Sequence, residues 1–155
     1  MTDPKTLSSV AEFHKTFQHP ILDKPTIPSE SRCELRVALI AEELKELEEA
    51  IANKDMVEIA DALCDIQYVL SGAVLEFGLK GKFNELFEEV QRSNMSKACK
   101  SEEEAKLTQQ HYLEKGVKSY YKEIEGQYLV FREGDNKTLK SVNYSPTDLK
   151  TILEK

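Results

Sequence analysis

Apolar residues recur at helical spacing in four segments before Lys100, and the pattern changes after Gly116. The first segment, about Val10 to Gln18, is entered through Ser9-x-x-Glu12, a pairing that satisfies the free N–H groups of a helix start. Pro20, Pro25 and Pro28 then predict a loop over His19–Ser29. Two long helices follow, from about Ser31 to Asn53 and from Met56 to Phe77, the second closed by Gly78. A fourth, Lys82–Met95, carries Phe83, Leu86, Phe87 and Val90 at helical spacing. Ser101-x-x-Glu104 opens a fifth that stops at Gly116. Beyond it, Tyr120, Tyr121 and Ile124 face Tyr128, Val130 and Phe131 across Gly126, the pattern of a small hairpin. A turn at Glu133–Asn136 and a short helix opening at Ser145-Pro146 complete the chain. The expected fold is an all-α core, a four-helix bundle over residues 1–100. A C-terminal extension over 101–155 (extra helix, small β-hairpin, short terminal helix) packs on the same domain.

The run Ile59–Leu79 is apolar over most of its circumference, which predicts a buried helix, yet it contains Asp61 and Asp65. At 100° per residue Glu58, Asp61 and Asp65 share an arc of about 60°. An uncompensated carboxylate in such a place costs several kcal/mol, so positive charge is expected opposite. The preceding helix adds acid instead: Glu43 and Glu46 lie within its apolar face, beside Arg36, whereas Glu42, Lys45 and Glu49 lie on its polar side. An antiparallel hairpin across Ala52–Asp55 would bring Glu43, Glu46, Glu58, Asp61 and Asp65 to one pocket. Such a pocket requires cations. Plainer roles exist for single members: Asp55-x-x-Glu58 also fits a helix cap, and Asp61 paired with Arg36 would satisfy a lone buried acid.

An all-oxygen donor set suits hard divalent ions, and Mg²⁺ in particular shares its shell with substrate phosphates. The spacing Glu42-Glu43-Leu44-Lys45-Glu46 followed by Glu58-Ile59-Ala60-Asp61 resembles the all-α nucleoside triphosphate pyrophosphohydrolases, the superfamily of MazG and phosphoribosyl-ATP pyrophosphohydrolase. Val10–Ile21 and Arg92–Lys97 look like the flanking helices of a MazG-like subgroup, so the resemblance spans roughly Val10 to Lys97. It implies Glu43, Glu46, Glu58 and Asp61 as metal ligands for Mg²⁺, with Mn²⁺ as a substitute. Glu42 or Glu46 would be the base that activates water. Arg36, Asp65, Asn94, Lys97, Lys137 and Lys140 are the substrate-binding candidates, Asn94 and Lys97 from the Ser93–Lys97 turn. The implied reaction is hydrolysis of a nucleoside triphosphate to the monophosphate and pyrophosphate. Alternatives are phosphoribosyl-ATP as substrate, or a nonenzymatic helical protein that binds metal and partners through this acidic surface.

Composition narrows the setting. The net charge of −7 repels free nucleic acid and makes triphosphate binding depend on a cation. Cys33, Cys64 and Cys99 are odd in number with no C-x-x-C spacing, which disfavours both disulfides and zinc, and Cys64 is expected to pack as a small apolar residue. His14, His19 and His111 lack E-x-x-H spacing, against a ferritin-like iron site, and His14 and His19 read as ordinary helix and helix-end residues. The acids within Ile59–Leu79 argue against a membrane span, and no signal-like segment is apparent, so a cytoplasmic location is expected. The apolar excess of that helix predicts a homodimer or homotetramer, with Val74, far from the acidic arc, as an interface position.

Overall fold

The computed structural model describes residues 5–155. It contains α1 (Thr6–Thr16), α2 (Glu30–Asn53), α3 (Met56–Glu76), α4 (Phe83–Met95), α5 (Glu102–Glu114), β1 (Ser119–Ile124), β2 (Gln127–Arg132) and α6 (Leu149–Glu154). The chain forms two compact units, Met1–Phe83 and Asn84–Lys155. The mostly helical architecture and the extension of helix, hairpin and terminal helix agree with the sequence pattern.

In the first unit α2 and α3 make a tight antiparallel pair. Lys54, left-handed at φ 56°, ends α2, and the Asp55 side chain caps α3 by accepting from the N–H groups of Val57 and Glu58 at 3.0 and 3.2 Å. Only two residues connect the helices, so they must lie side by side. The capping role of Asp55 is thus real and leaves the Glu58 carboxylate free for other work. α1 lies on α3, where Val10, Ala11 and Leu75 form a buried core with Leu7 and Ile21 packed against it. The loop then follows the end of α3, with Leu22 N–H bonded to Leu75 O and Thr26 N–H to Phe77 O. Gly78 has φ 68°, and a Cβ there would stand 1.9 Å from Lys24 O, so only glycine fits.

The expectation of a buried α3 holds for only part of its length. Ser71, Gly72, Val74, Leu75 and Glu76 are buried, but Met56, Val57, Leu63 and Leu70 are exposed, and so is Asp61. The reason is length: the 11 residues of α1 extend about 16 Å along a helix whose 21 residues extend about 31 Å. Val74, expected between subunits, is 5% exposed within its own chain. Cys64 is exposed, and Cys99 is the buried cysteine.

In the second unit β1 and β2 pair antiparallel from Ser119↔Arg132 to Ile124↔Gln127. Glu125 and Gly126 both have positive φ, as a two-residue hairpin loop requires. α5 packs on the hairpin, and Cys99, Ala105, Val130 and Leu139 form its core. α4 is tied to the terminal segment: Arg92 donates to Ser145 Oγ and Pro146 O, and the Asp148 N–H donates to Glu89. Two expected helix starts differ. α1 begins at Thr6, which puts Ser9 inside it, and α6 is capped by Asp148 because Ser145 is engaged with Arg92 and Ser96. Among the described residues no helix is long and apolar enough to cross a membrane.

Candidate functional site

The antiparallel pair brings part of the expected acidic set together. Glu43 of α2 and Asp65 of α3 are both half-buried and line one cavity of about 470 Å³. One carboxylate oxygen of Glu43, Oε2, is buried with no hydrogen-bond partner. Burial pushes the Glu43 carboxyl up from its ordinary range, and the negative charges of Asp65, Glu46, Glu42 and Asp61 push it further. Four acids therefore act on Glu43, two from each helix. Glu42, Glu46, Glu58 and Asp61 are exposed, and Glu58 is in the first turn of α3. As the side chains stand, no three His, Cys, Asp or Glu among the described residues close around a common point tightly enough to hold an ion.

The orphaned oxygen of Glu43 and the carboxylates that act on it fit a hard divalent cation: positive charge there would favour the ionised form of Glu43 and relieve the repulsion. Asp65, Glu46, Glu42 and Asp61 are the carboxylates whose charge Glu43 feels, in that order, and Glu58 is not among them.

Arg36 pairs with Glu76 and not with Asp61, the plainer alternative weighed for that acid. It is 7% exposed and donates to Glu76 of α3, a carboxylate only 1% exposed, which also accepts from Arg32 through Nε at 3.0 Å and through Nη2. Burial alone would raise the Glu76 carboxyl, but the two guanidiniums outweigh it and hold the group below its usual range. Gly72 makes room for this network, since a Cβ there would stand 2.6 Å from Arg36 Nη1 and 3.1 Å from His14 Nε2. His14, read as an ordinary helix residue, is 3% exposed and bonds through Nδ1 to Pro20 O at 2.9 Å. Burial lowers its pKa and favours the neutral form, and because a carbonyl can only accept, Nδ1–H donates that bond. Sequence reasoning missed Glu76, although a lone acid between Leu75 and Phe77 carries the same signal that marked Asp61.

Asn94 and the three lysine candidates belong to the second unit. Lys97 Nζ donates to Asn94 Oδ1 at 2.7 Å, and Lys140 Nζ lies 4.3 Å from the centre of the Tyr144 ring. A hydrogen bond from Ser93 lowers the Tyr144 phenol, and the charges of Lys140, Lys97 and Arg92 lower it further. Asn94, Lys97 and Lys140 thus gather about one electropositive spot. Lys137 stands elsewhere, in the turn after β2, where its N–H bonds to Asp135 and its carbonyl accepts from Arg132.

The family model for phosphoribosyl-ATP pyrophosphohydrolase matches residues 10–94, more than half of the chain, from within α1 into the end of α4. The chain belongs to the phosphoribosyl-ATP pyrophosphohydrolase family. Membership places it in the MazG-like all-α superfamily and covers every carboxylate of the acidic set. The chain is also similar to an uncharacterized protein of Acanthamoeba polyphaga mimivirus, 37% identical over 75 residues. That stretch is 46% of this chain and 30% of the relative, so the chain spans under a third of the viral protein's length.

Proposed function

We propose that the protein is a nucleoside triphosphate pyrophosphohydrolase whose site is the acidic group on α2 and α3. The observation that carries the reading is Glu43: a half-buried acid with an orphaned oxygen, pushed up by burial and by four carboxylates from two helices. A pocket built this way holds unfavourable negative charge that a bound cation neutralises, and the cation in turn draws in the negatively charged phosphates. Membership in a pyrophosphohydrolase family supports the same reaction class.

Glu43, Glu46, Glu58 and Asp61 are the proposed ligands of Mg²⁺ or Mn²⁺, with Asp65 beside them. The bound cation would supply charge neutralisation of the phosphates and of the leaving pyrophosphate. Glu46, exposed one turn from Glu43, is the base that takes a proton from the attacking water, and Glu42 is the alternative base. Water's oxygen joins phosphorus, the anhydride bond between the α- and β-phosphates breaks, and the products are a nucleoside monophosphate and pyrophosphate. Arg36 and Asp65 are the proposed substrate contacts of the first unit. Within the second unit, Asn94, Lys97 and Lys140 form a group suited to a phosphate, supported by the electropositive setting of Tyr144. Lys137, remote from that group, is the weakest of the substrate candidates.

A homo-oligomer belongs to the proposal. Val37, Leu44 and Ile51 on α2 repeat every seven residues, as do Met56, Leu63 and Leu70 on α3, and all six are exposed in the single chain. Two exposed apolar stripes at heptad spacing are the surface of helices that pack against another copy.

The family name favours phosphoribosyl-ATP as a second substrate reading. Asp61→Asn separates enzymatic from nonenzymatic readings, because it preserves volume and removes one charge. The variant should stay helical and lose pyrophosphate release from every triphosphate that the wild type hydrolyses. Full activity at ordinary Mg²⁺ would sink the site assignment.

A further inference from the structure

A positive charge stands in the wall of the cavity that holds Glu43 and Asp65, yet it leaves them unneutralised. Arg36 lines that cavity with both acids, but its Nη2 donates to Glu76 and its Nε–H is buried with no acceptor. Glu43 is governed by its burial and by the carboxylates of Asp65, Glu46, Glu42 and Asp61, and Arg36 is not among its main influences. The helices explain the separation. Arg36 and Glu43 are seven residues apart on α2, as Gly72 and Asp65 are on α3, so the guanidinium level lies about two turns, about 10 Å, from the acid level on both helices. Glu76 is eleven residues from Asp65, about 16 Å along α3. Gly72 leaves the space that the guanidinium occupies on its way there, since a Cβ would stand 2.6 Å from Arg36 Nη1. Among the described residues Glu76 is the one carboxylate that accepts from Arg32 and Arg36, so this buried cluster carries two positive charges and one negative.

We propose that Glu76 is a positioning residue that sets the cation affinity of the acidic site: it holds the Arg36 guanidinium at the end of α3 and cancels one of the two arginine charges, so that the carboxylates around Glu43 keep their demand for a divalent ion. This inference rests on the reading of those carboxylates as a cation site and adds what tunes it. Without the negative charge of Glu76, two guanidiniums stand uncompensated in a buried region of low dielectric. Their field reaches the acid level and repels the ion.

The test uses the full chain without substrate and Mn²⁺ alone as the probe, with the free ion counted by electron paramagnetic resonance at low ionic strength. Glu76→Gln keeps the shape and removes the charge. Loss of one unit charge at about this distance from a divalent ion, across protein and water, should weaken Mn²⁺ binding roughly three- to fivefold. Glu76→Asp shortens the side chain and keeps the charge, so it should bind Mn²⁺ as the wild type does even where its melting point is lower. Arg36→Met, with Glu76 intact, removes one positive charge and should bind Mn²⁺ more tightly than the wild type by a similar factor, a gain that damaged folding does not produce. Wild-type affinity in Glu76→Gln would overturn the inference. So would a loss in Glu76→Asp as large as that in Glu76→Gln, or an Arg36→Met that binds no more tightly than the wild type. A wild type that binds no Mn²⁺ would overturn the cation site itself. Affinities that follow the charges, in a wild type that hydrolyses no triphosphate, keep this inference and remove the reaction.

Discussion

Glu76→Gln removes one negative charge from the centre of the first unit and changes almost nothing in shape. The wild-type carboxylate accepts from Arg32 and Arg36 and is 1% exposed. The two arginines differ in what they lose. Arg32 has a side chain 29% exposed and can recover water, so its share is that of a surface pair, about 0–1 kcal/mol. The Arg36 side chain is 8% exposed and cannot rehydrate. Removing one partner of a buried pair costs about 3–5 kcal/mol, and an amide that still accepts one hydrogen bond places Gln near the lower end, about 3 kcal/mol. At roughly 2–4 °C per kcal/mol for a chain of this size, the melting transition should fall by about 6–12 °C. The sign with pH follows from the depressed Glu76 carboxyl. Its stabilisation is complete above the unfolded value of about 4.3 and is lost as pH falls through the lower folded value. Urea unfolding followed by circular dichroism should therefore show a constant gap between wild type and variant at neutral pH that narrows in acid. A gap below about 1 kcal/mol at neutral pH, or one unchanged in acid, would refute the buried pair as a source of stability.

Three further outcomes are expected. Gly72→Ala should destabilise by about 1–3 kcal/mol in thermal melts, because its methyl meets Arg36 Nη1 at 2.6 Å; a variant as stable as the wild type would show that Arg36 moves aside freely. Leu63→Asp, on the exposed stripe of α3, should shift light scattering toward a smaller species and leave the helical signal intact; an unchanged mass would place the interface elsewhere. Mg²⁺ affinity measured by calorimetry should fall as pH drops from 7 toward 5, because Glu43 binds its proton more readily than an ordinary carboxyl and the cation needs it ionised; a flat profile would take Glu43 out of the ligand set.

The local chemistry of the chain was legible because it depends on near neighbours. Asp55 caps α3, Ser101 caps α5 by accepting from the Glu104 N–H, and Gly126 turns the hairpin as its residue type requires. The pairing of α2 with α3 followed from a connection too short for anything else. What failed was burial along α3. An apolar helix announces that it will be covered but not which part its own chain covers, and the short α1, which meets Tyr68 through Phe13 and Leu75 through Val10 and Ala11, leaves the start of α3 at Met56 and Val57 exposed. The Arg36–Glu76 pair was not legible for a related reason. Arg36 and Glu76 are 40 residues apart, and their meeting depends on where α3 ends relative to α2. Ser145 shows the same limit on a smaller scale: a good capping residue was claimed by Arg92 and Ser96 of another element. Of the acidic set, Glu43 and Asp65 share a cavity as the hairpin geometry requires, and Phe13 and Tyr68 joined them only once α1 was laid on α3.

The central claim is the reaction, and pyrophosphate release is its most direct measure. The wild-type chain should be assayed against a panel of ribo- and deoxyribonucleoside triphosphates and phosphoribosyl-ATP, with Mg²⁺ and with excess chelator. The expected result is pyrophosphate and the corresponding monophosphate in equal amounts from at least one substrate, abolished by the chelator and restored by Mg²⁺ or Mn²⁺. Absence of pyrophosphate from every substrate in the presence of either cation, or release that persists in full under chelation, would contradict the account.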